Sequence, residues 1–130
     1  MSVKTFLTII SILGLLFGIG DLLIPDRIGA IYGMEASRSA ELMARFFGVA
    51  LLGWALITWF AKDFHDESDL RHVLAPSGVA HSAGVIVATM GTMSGVMNAM
   101  GWTGVAIFLF GAIGSFYFLT VSSHQRMVHT

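Results

Sequence analysis

The feature that most constrains this chain is a run of 54 residues, from His72 to Gln125, without a formal charge. A helix needs roughly 20 apolar residues to cross the hydrocarbon core of a bilayer, so the run is long enough for two crossings. The segment Asn98–Gly101 interrupts it with residues that favour a turn. The run therefore predicts two membrane-spanning helices joined by a tight turn, at about 71–96 and about 101–122.

Two further charge-free intervals, residues 5–20 and 46–61, predict spans at about 4–24 and about 39–61. A membrane β-barrel would show short alternating segments, whereas these apolar runs are continuous, as helices require. Short connections between successive helices predict one domain over residues 1–130, an all-α membrane protein with a four-helix up-down-up-down bundle. The connection after the first span contains Ile28–Gly33, which predicts a short interfacial helix stopped by glycine.

Composition supports a polytopic membrane protein. Hydrophobic residues make up 55% of the chain and charged residues 12%, against about 25% charged in an ordinary soluble domain. The net charge of −1 provides no basic surface for nucleic acid, and the absence of cysteine excludes disulfides and thiolate chemistry. Small residues recur at fourth positions, which favours close helix packing: Gly14 and Gly18, Gly84 and Ala88, Gly91 and Gly95, Gly111 and Ser115.

Lysine and arginine predict the orientation, because cytoplasmic loops carry an excess of both. One end of the bundle would carry Lys4, Lys62, Arg71 and Arg126, and the other Arg27 and Arg38. This count predicts a multi-pass protein of the cytoplasmic (inner) membrane with both termini in the cytoplasm. The first span lacks a small-residue cleavage site, so we expect it to be retained rather than removed as a signal peptide.

An intramembrane polar network of Asp21, Glu41 and Arg45 is the first candidate site. Arg45 lies about two turns into the second span, where an unpaired guanidinium is costly. Glu41 precedes it by one turn, and Asp21 lies at a comparable depth of the first span. The sequence therefore predicts a salt bridge that pins the two helices together. A site for an anion or a lipid headgroup, or a proton path, is the alternative.

His81, near the middle of the third span, is the second candidate. Its helix face carries small and mildly polar residues, among them Thr92, and it must point toward other helices. A histidine there can bind a ligand or hydrogen-bond a neighbouring carbonyl. Asn98, at the turn, completes the set of ligand-contact candidates and can also cap the fourth helix. No second histidine lies at matching depth for a haem, so no cofactor is predicted, and a quinone or lipid is the ligand such a bundle would accommodate.

A metal site is conceivable where several histidines and acidic residues meet at the cytoplasmic end: His65, Asp66, His72 and His124. Their spacing matches no metal-binding motif, so no metal is predicted and a solvated acidic hairpin is the simpler interpretation.

Two fragments carry a family resemblance, residues 44–53 (ARFFGVALLG) and residues 94–102 (SGVMNAMGW). They resemble a widespread set of short prokaryotic four-span membrane proteins, some labelled DoxX-like. The resemblance implies a four-helix bundle in the cytoplasmic membrane and an association with membrane quinone chemistry through partner subunits. It implies no catalytic residue.

Three functions remain open at this stage. The first is a non-catalytic integral membrane subunit that packs with a larger membrane complex or with itself, in a lipid bilayer. The alternative is a binder or transporter of a small lipophilic molecule, a quinone or a lipid, held between the helices near His81 and Arg45. The third is an enzyme that acts on such a molecule.

Overall fold

The computed structural model describes the backbone of residues 1–128 and the side chains of residues 1–121. Every secondary-structure element in this part of the chain is an α-helix. The five helices are α1 (Val3–Leu23), α2 (Pro25–Ile31), α3 (Arg38–Ala61), α4 (Glu67–Met93) and α5 (Gly101–Val128). The predicted all-α class is confirmed, as are four helices long and apolar enough to cross a membrane, with α2 as the short helix expected after the first span.

The start of α4 differs from the prediction. The helix begins at Glu67, about one turn before the expected residue 71. Asp66 is the cap, because its side chain accepts a hydrogen bond of 2.6 Å from the backbone N–H of Ser68. The acidic residues that follow therefore lie in the first turn, where the helix dipole favours negative charge.

Proline and glycine mark the two ends of α2. Pro25 is its first residue, a position where the missing N–H costs no helical hydrogen bond. The helix ends just before Gly33, whose φ of +71° is a left-handed conformation that glycine adopts without steric cost. This short helix turns the chain between the ends of α1 and α3.

The four long helices form two antiparallel hairpins, α1 with α3 and α4 with α5, and packing is most extensive within each hairpin. Glycines allow the backbones of α1 and α3 to meet. A Cβ at Gly48 would lie 2.8 Å from the carbonyl oxygen of Gly18. Deeper in the same seam, the hydroxyls of Ser11 and Thr58, both fully buried, are hydrogen-bonded at 2.8 Å. The predicted close packing at Gly14 and Gly18 is confirmed, because a Cβ at either glycine would lie 2.9 Å from a side-chain atom of α3, in Ala55 and Leu52 respectively.

The two hairpins join at the end of the bundle where the N-terminus of α1 lies. A hydrophobic cluster fills this end, made of Phe6, Leu7, Ile10, Ala61, Leu70 and Leu74. Phe6 also packs on Gly114 and near the ring of Phe118 in α5. At the opposite end the link is polar, because the loop before α5 hydrogen-bonds to the segment after α2.

Large apolar side chains cover the outside of the bundle, as expected of helices that face lipid. On α1 they form one aliphatic stripe of Ile9, Ile12, Leu16, Ile19 and Leu23. We call this stripe the outer α1 face. Every side chain that defines this face is aliphatic.

Candidate functional site

Arg45 does not form the predicted salt bridge. Its guanidinium donates a hydrogen bond of 2.6 Å from Nη1 to the carbonyl oxygen of Leu22. Among the described residues it makes no ion pair with Asp21 or Glu41. The prediction of contact within this trio was therefore wrong.

The reason lies in the end of α1. The last carbonyls of a helix have no partner within that helix, and they carry its partial negative charge. The carbonyl of Leu22 is one of them, and Arg45 reaches it from α3 across the hairpin seam. Arginine satisfies a helix end here, where the sequence suggested that it would neutralise a carboxylate.

Asp21 occupies the seam itself. It is 7% exposed, and its Cβ lies close to the backbone of Gly48, 3.1 Å from where a Cβ on that glycine would stand. Glu41 is half-buried in the first turn of α3. Neither carboxylate forms an ion pair with the described part of the chain. The three predicted network residues thus share one end of the hairpin without forming one network.

His81 lies in the seam between α4 and α5. Its Nδ1 donates a hydrogen bond of 2.8 Å to the carbonyl oxygen of Ser77, because a carbonyl can only accept. Its ring packs on the backbone of Gly111 and lies edge-on to Phe108, with ring centroids 6.0 Å apart. The ring therefore fills the gap left by a glycine of the neighbouring helix, and the sequence alternative of a histidine bonded to a carbonyl fits this geometry.

Thr92 and Asn98 do not converge with His81. Thr92 donates to the carbonyl oxygen of Ala88 at 2.8 Å within α4, and its side chain contacts Gly101. It stands 11 residues beyond His81, or roughly 16 Å along a helix axis. The three ligand-contact candidates are therefore not brought together in one pocket by the described residues.

Asn98 connects the two hairpins. Its Nδ2 donates to the carbonyl oxygen of Ile31 at 3.0 Å, and its backbone N–H donates to the carbonyl oxygen of Tyr32 at 2.8 Å. Its Oδ1 accepts from the backbone N–H of Met100 at 2.8 Å, just before α5 begins. The predicted helix-capping role fits this arrangement, and the link to the segment after α2 was not foreseen.

Four hydroxyls are fully buried, those of Ser11, Thr58, Ser77 and Ser115; Ser115 was expected at a helix contact as a small residue, but the burial of these hydroxyls was not predicted. Ser115 has no hydrogen-bond partner for its hydroxyl among the described residues. A serine or threonine among glycines in an apolar span is the signal that points to such positions, because small polar residues favour helix–helix contacts in membranes.

No group of three or more metal-ligating side chains occurs within residues 1–121, whose side chains are described. His65 and Asp66 lie in the exposed loop after α3, and His72 donates from Nδ1 to the carbonyl oxygen of Ser68 at 2.6 Å. His124, the fourth member of the conceivable metal site, lies outside the described side chains.

The loop after α3 contains the ion pairs of this end of the bundle. Asp63 accepts from the ammonium of Lys4 at 2.7 Å and from that of Lys62 at 2.9 Å. Hydrogen bonds from Lys4 and then Lys62 lower the pKa of the Asp63 carboxyl to about 2. This pairing connects the start of α1 to the loop that follows α3.

Comparison with known proteins identifies no relative: no family model, no curated protein and no solved structure matches the chain.

Proposed function

We propose that the protein is a small, non-catalytic integral membrane subunit that assembles with other transmembrane helices, in a larger membrane complex or in copies of itself. The observation that carries the proposal is the position and environment of the Arg45 guanidinium. It lies on the membrane-spanning helix α3 and is exposed; it donates from Nη1 to the carbonyl oxygen of Leu22, but no carboxylate among the described residues balances its charge. Charged groups in membrane helices usually pair with other polar groups of a protein.

The outward surface of α3 supports the same proposal. We define the outer α3 face as Leu42, Phe46, Val49, Gly53, Leu56 and Phe60. The named large side chains of this face are 48–67% exposed, and a Cβ at Gly53 would meet nothing within 4 Å. An open glycine in the middle of an apolar stripe allows another helix to approach closely.

The outer α1 face provides the contrast. It is equally apolar, but it contains neither a glycine nor a charge, so it offers lipid a uniform aliphatic surface. Arg45 lies beside the outer α3 face, one residue before Phe46. A partner helix with a carboxylate at this depth would neutralise the guanidinium while its backbone packs over Gly53.

Site-specific photocrosslinking in native membranes tests the proposal. A photoreactive residue is placed at Val49 or Leu56 on the outer α3 face, and at Ile12 or Leu16 on the outer α1 face as the control. We expect discrete protein adducts from α3 only. A mass of twice the chain would identify self-assembly, and any other discrete mass would identify another subunit.

Two substitutions on α3 and one control on α1 make the test specific. Gly53→Leu has room within the chain, so it should leave the fold intact while abolishing the α3 adducts, and Arg45→Gln should weaken them. Leu16→Phe adds similar bulk to the outer α1 face and should change nothing. Adducts of equal yield from both faces, or adducts that persist in Gly53→Leu, would contradict the proposal.

We also propose that the four spans lie in the cytoplasmic membrane with both termini in the cytoplasm. Lys4, Lys62 and Arg71 at one end of the bundle support this orientation; Arg126, also counted in the sequence, lies outside the described side chains. Fusions of a reporter active only outside and of one active only inside to the C-terminus test it. Strong activity of the external reporter would contradict this orientation and place the C-terminus outside the cytoplasm.

A further inference from the structure

A groove of about 340 Å³ lies between the first turns of α4 and the neighbouring part of α5. Its walls are formed by Ser68, Arg71, His72, Ala75, Pro76 and Leu119. The polar members lie nearest the start of α4, and the apolar members lie about one turn deeper. The groove therefore changes from polar to apolar along the direction in which α4 enters the membrane.

Internal hydrogen bonds hold the polar wall in place. Arg71 donates from Nη1 to the carbonyl oxygen of Leu119 at 3.3 Å, which sets the guanidinium across the groove from α4 to α5. His72 donates from Nδ1 to the carbonyl oxygen of Ser68, so in the neutral ring Nε2 is a hydrogen-bond acceptor. Arg71 and Ser68 therefore provide the donors of this wall, a guanidinium and a hydroxyl, which are groups that proteins use to bind phosphate oxygens.

The apolar wall continues onto the outside of the bundle. Ala75 and Pro76 are exposed, and Val79, one turn further along α4, is 64% exposed. An apolar chain that leaves the groove along these residues would therefore remain in the hydrocarbon region. Pro76 also has no N–H to offer to the carbonyl of His72, so this helical hydrogen bond is absent beside the polar wall.

We infer that this groove is a binding site for one anionic phospholipid, whose phosphate contacts Arg71 and whose acyl chain lies along Ala75 and Pro76. The Ser68 hydroxyl completes the phosphate contacts. A free phosphate fits less well, because Glu67 and Asp69 of the same helix end repel any phosphate group, and a free phosphate has no apolar part whose contact with Ala75 and Pro76 would offset that repulsion. The acyl chain of a lipid makes this additional contact with the apolar wall of the groove. The inference is independent of the proposed assembly through α3.

Native mass spectrometry of the purified full chain, with lipids added to the detergent, tests this site. The probes are phosphatidylglycerol, phosphatidylcholine and inorganic phosphate. We expect the chain to retain one phosphatidylglycerol, and Arg71→Gln to weaken that binding about tenfold, as loss of a charge-assisted contact should. Lys4→Gln is the matched control, because it removes a cation from the same end of the bundle outside the groove, and it should change binding less than twofold.

A second variant keeps the inference falsifiable if Arg71→Gln does not fold. Ala75→Phe places a phenyl ring against the apolar wall of the groove, at an exposed helix position, and leaves every charge in place. It should therefore reduce phosphatidylglycerol binding and leave the melting temperature unchanged. Equal losses in Arg71→Gln and Lys4→Gln would reduce the site to general electrostatics. Equal retention of phosphatidylcholine, competition by inorganic phosphate, or full binding in Ala75→Phe would each overturn the inference.

Discussion

Arg45 closes the C-terminal end of α1 by donating a hydrogen bond of 2.6 Å from Nη1 to the carbonyl oxygen of Leu22. The contact crosses from α3 to α1 and supplies a donor that the end of a helix cannot supply itself. A side chain that sequence reasoning assigned to a carboxylate thus serves a backbone group. Two consequences follow for stability: the loss of Arg45 removes one hydrogen bond, and Arg45 and Asp21 contribute independently.

Replacing Arg45 with glutamine should lower the free energy of unfolding by about 1 kcal/mol, because one charge-assisted hydrogen bond at a partly exposed helix end is lost. Asp21→Asn should act independently, since no ion pair joins the two residues. Unfolding of both single variants and the double variant in mixed detergent micelles measures this. A coupling energy above about 0.5 kcal/mol would revive the direct interaction.

Gly48→Ala and Gly53→Ala form a matched pair on one helix. A Cβ at Gly48 would stand 2.8 Å from the carbonyl oxygen of Gly18, so we expect a loss of about 1–3 kcal/mol from overpacking. A Cβ at Gly53 meets nothing within 4 Å, and alanine there should leave stability unchanged or raise it by up to about 1 kcal/mol. The same unfolding assay, on monomeric protein, compares them, and similar losses at both positions would show that the seam is not where the structure places it.

Asn98→Ala should loosen the polar link between the hairpins. It removes the bond from Nδ2 to Ile31 and the bond that Oδ1 accepts from Met100, together about 1–2 kcal/mol for an exposed site. Asn98→Asp keeps an acceptor for Met100 and loses only the donor to Ile31. Hydrogen exchange at the Met100 amide should therefore become faster in the alanine variant and remain slow in the aspartate variant; equal rates in both would refute the capping role.

The ion pairs of Asp63 predict a pH effect with a defined sign. Its pKa is lowered from an ordinary value of 3.8 to about 2, so the pairing stabilises the fold fully above the ordinary value and is lost as the pH falls through about 2. A carboxyl ¹³C titration of Asp63 in micelles measures its midpoint. Lys4→Gln should raise that midpoint more than Lys62→Gln, because Lys4 is the larger cause. An unshifted midpoint in both variants would mean that neither lysine contacts the carboxylate.

The four spans and the helical class could be predicted from the sequence because both depend on local properties. A charge-free interval can be recognised from its own residues, without knowing which helices pack against it. The thickness of a bilayer then sets the length that a membrane-spanning interval must have. The end of the short helix α2 was equally accessible, since Gly33 marks it through its own backbone preference, whereas the start at Pro25, three residues before the expected Ile28, was not predicted. Even the misplaced start of α4 was wrong by only one turn.

The partners of the polar side chains could not be predicted in this way, because they depend on how each helix is rotated about its axis and on how deep it lies against its neighbour. The sequence placed Arg45 and Asp21 at one level of the bundle, and only the packed hairpin decided that the guanidinium caps Leu22 while Asp21 lies over Gly48. His81 likewise looked free to bind a ligand until α5 brought Gly111 against its ring. A contact between helices depends on the surfaces of both helices. The sequence of one apolar helix therefore does not show which neighbouring helix will have a glycine opposite a given side chain.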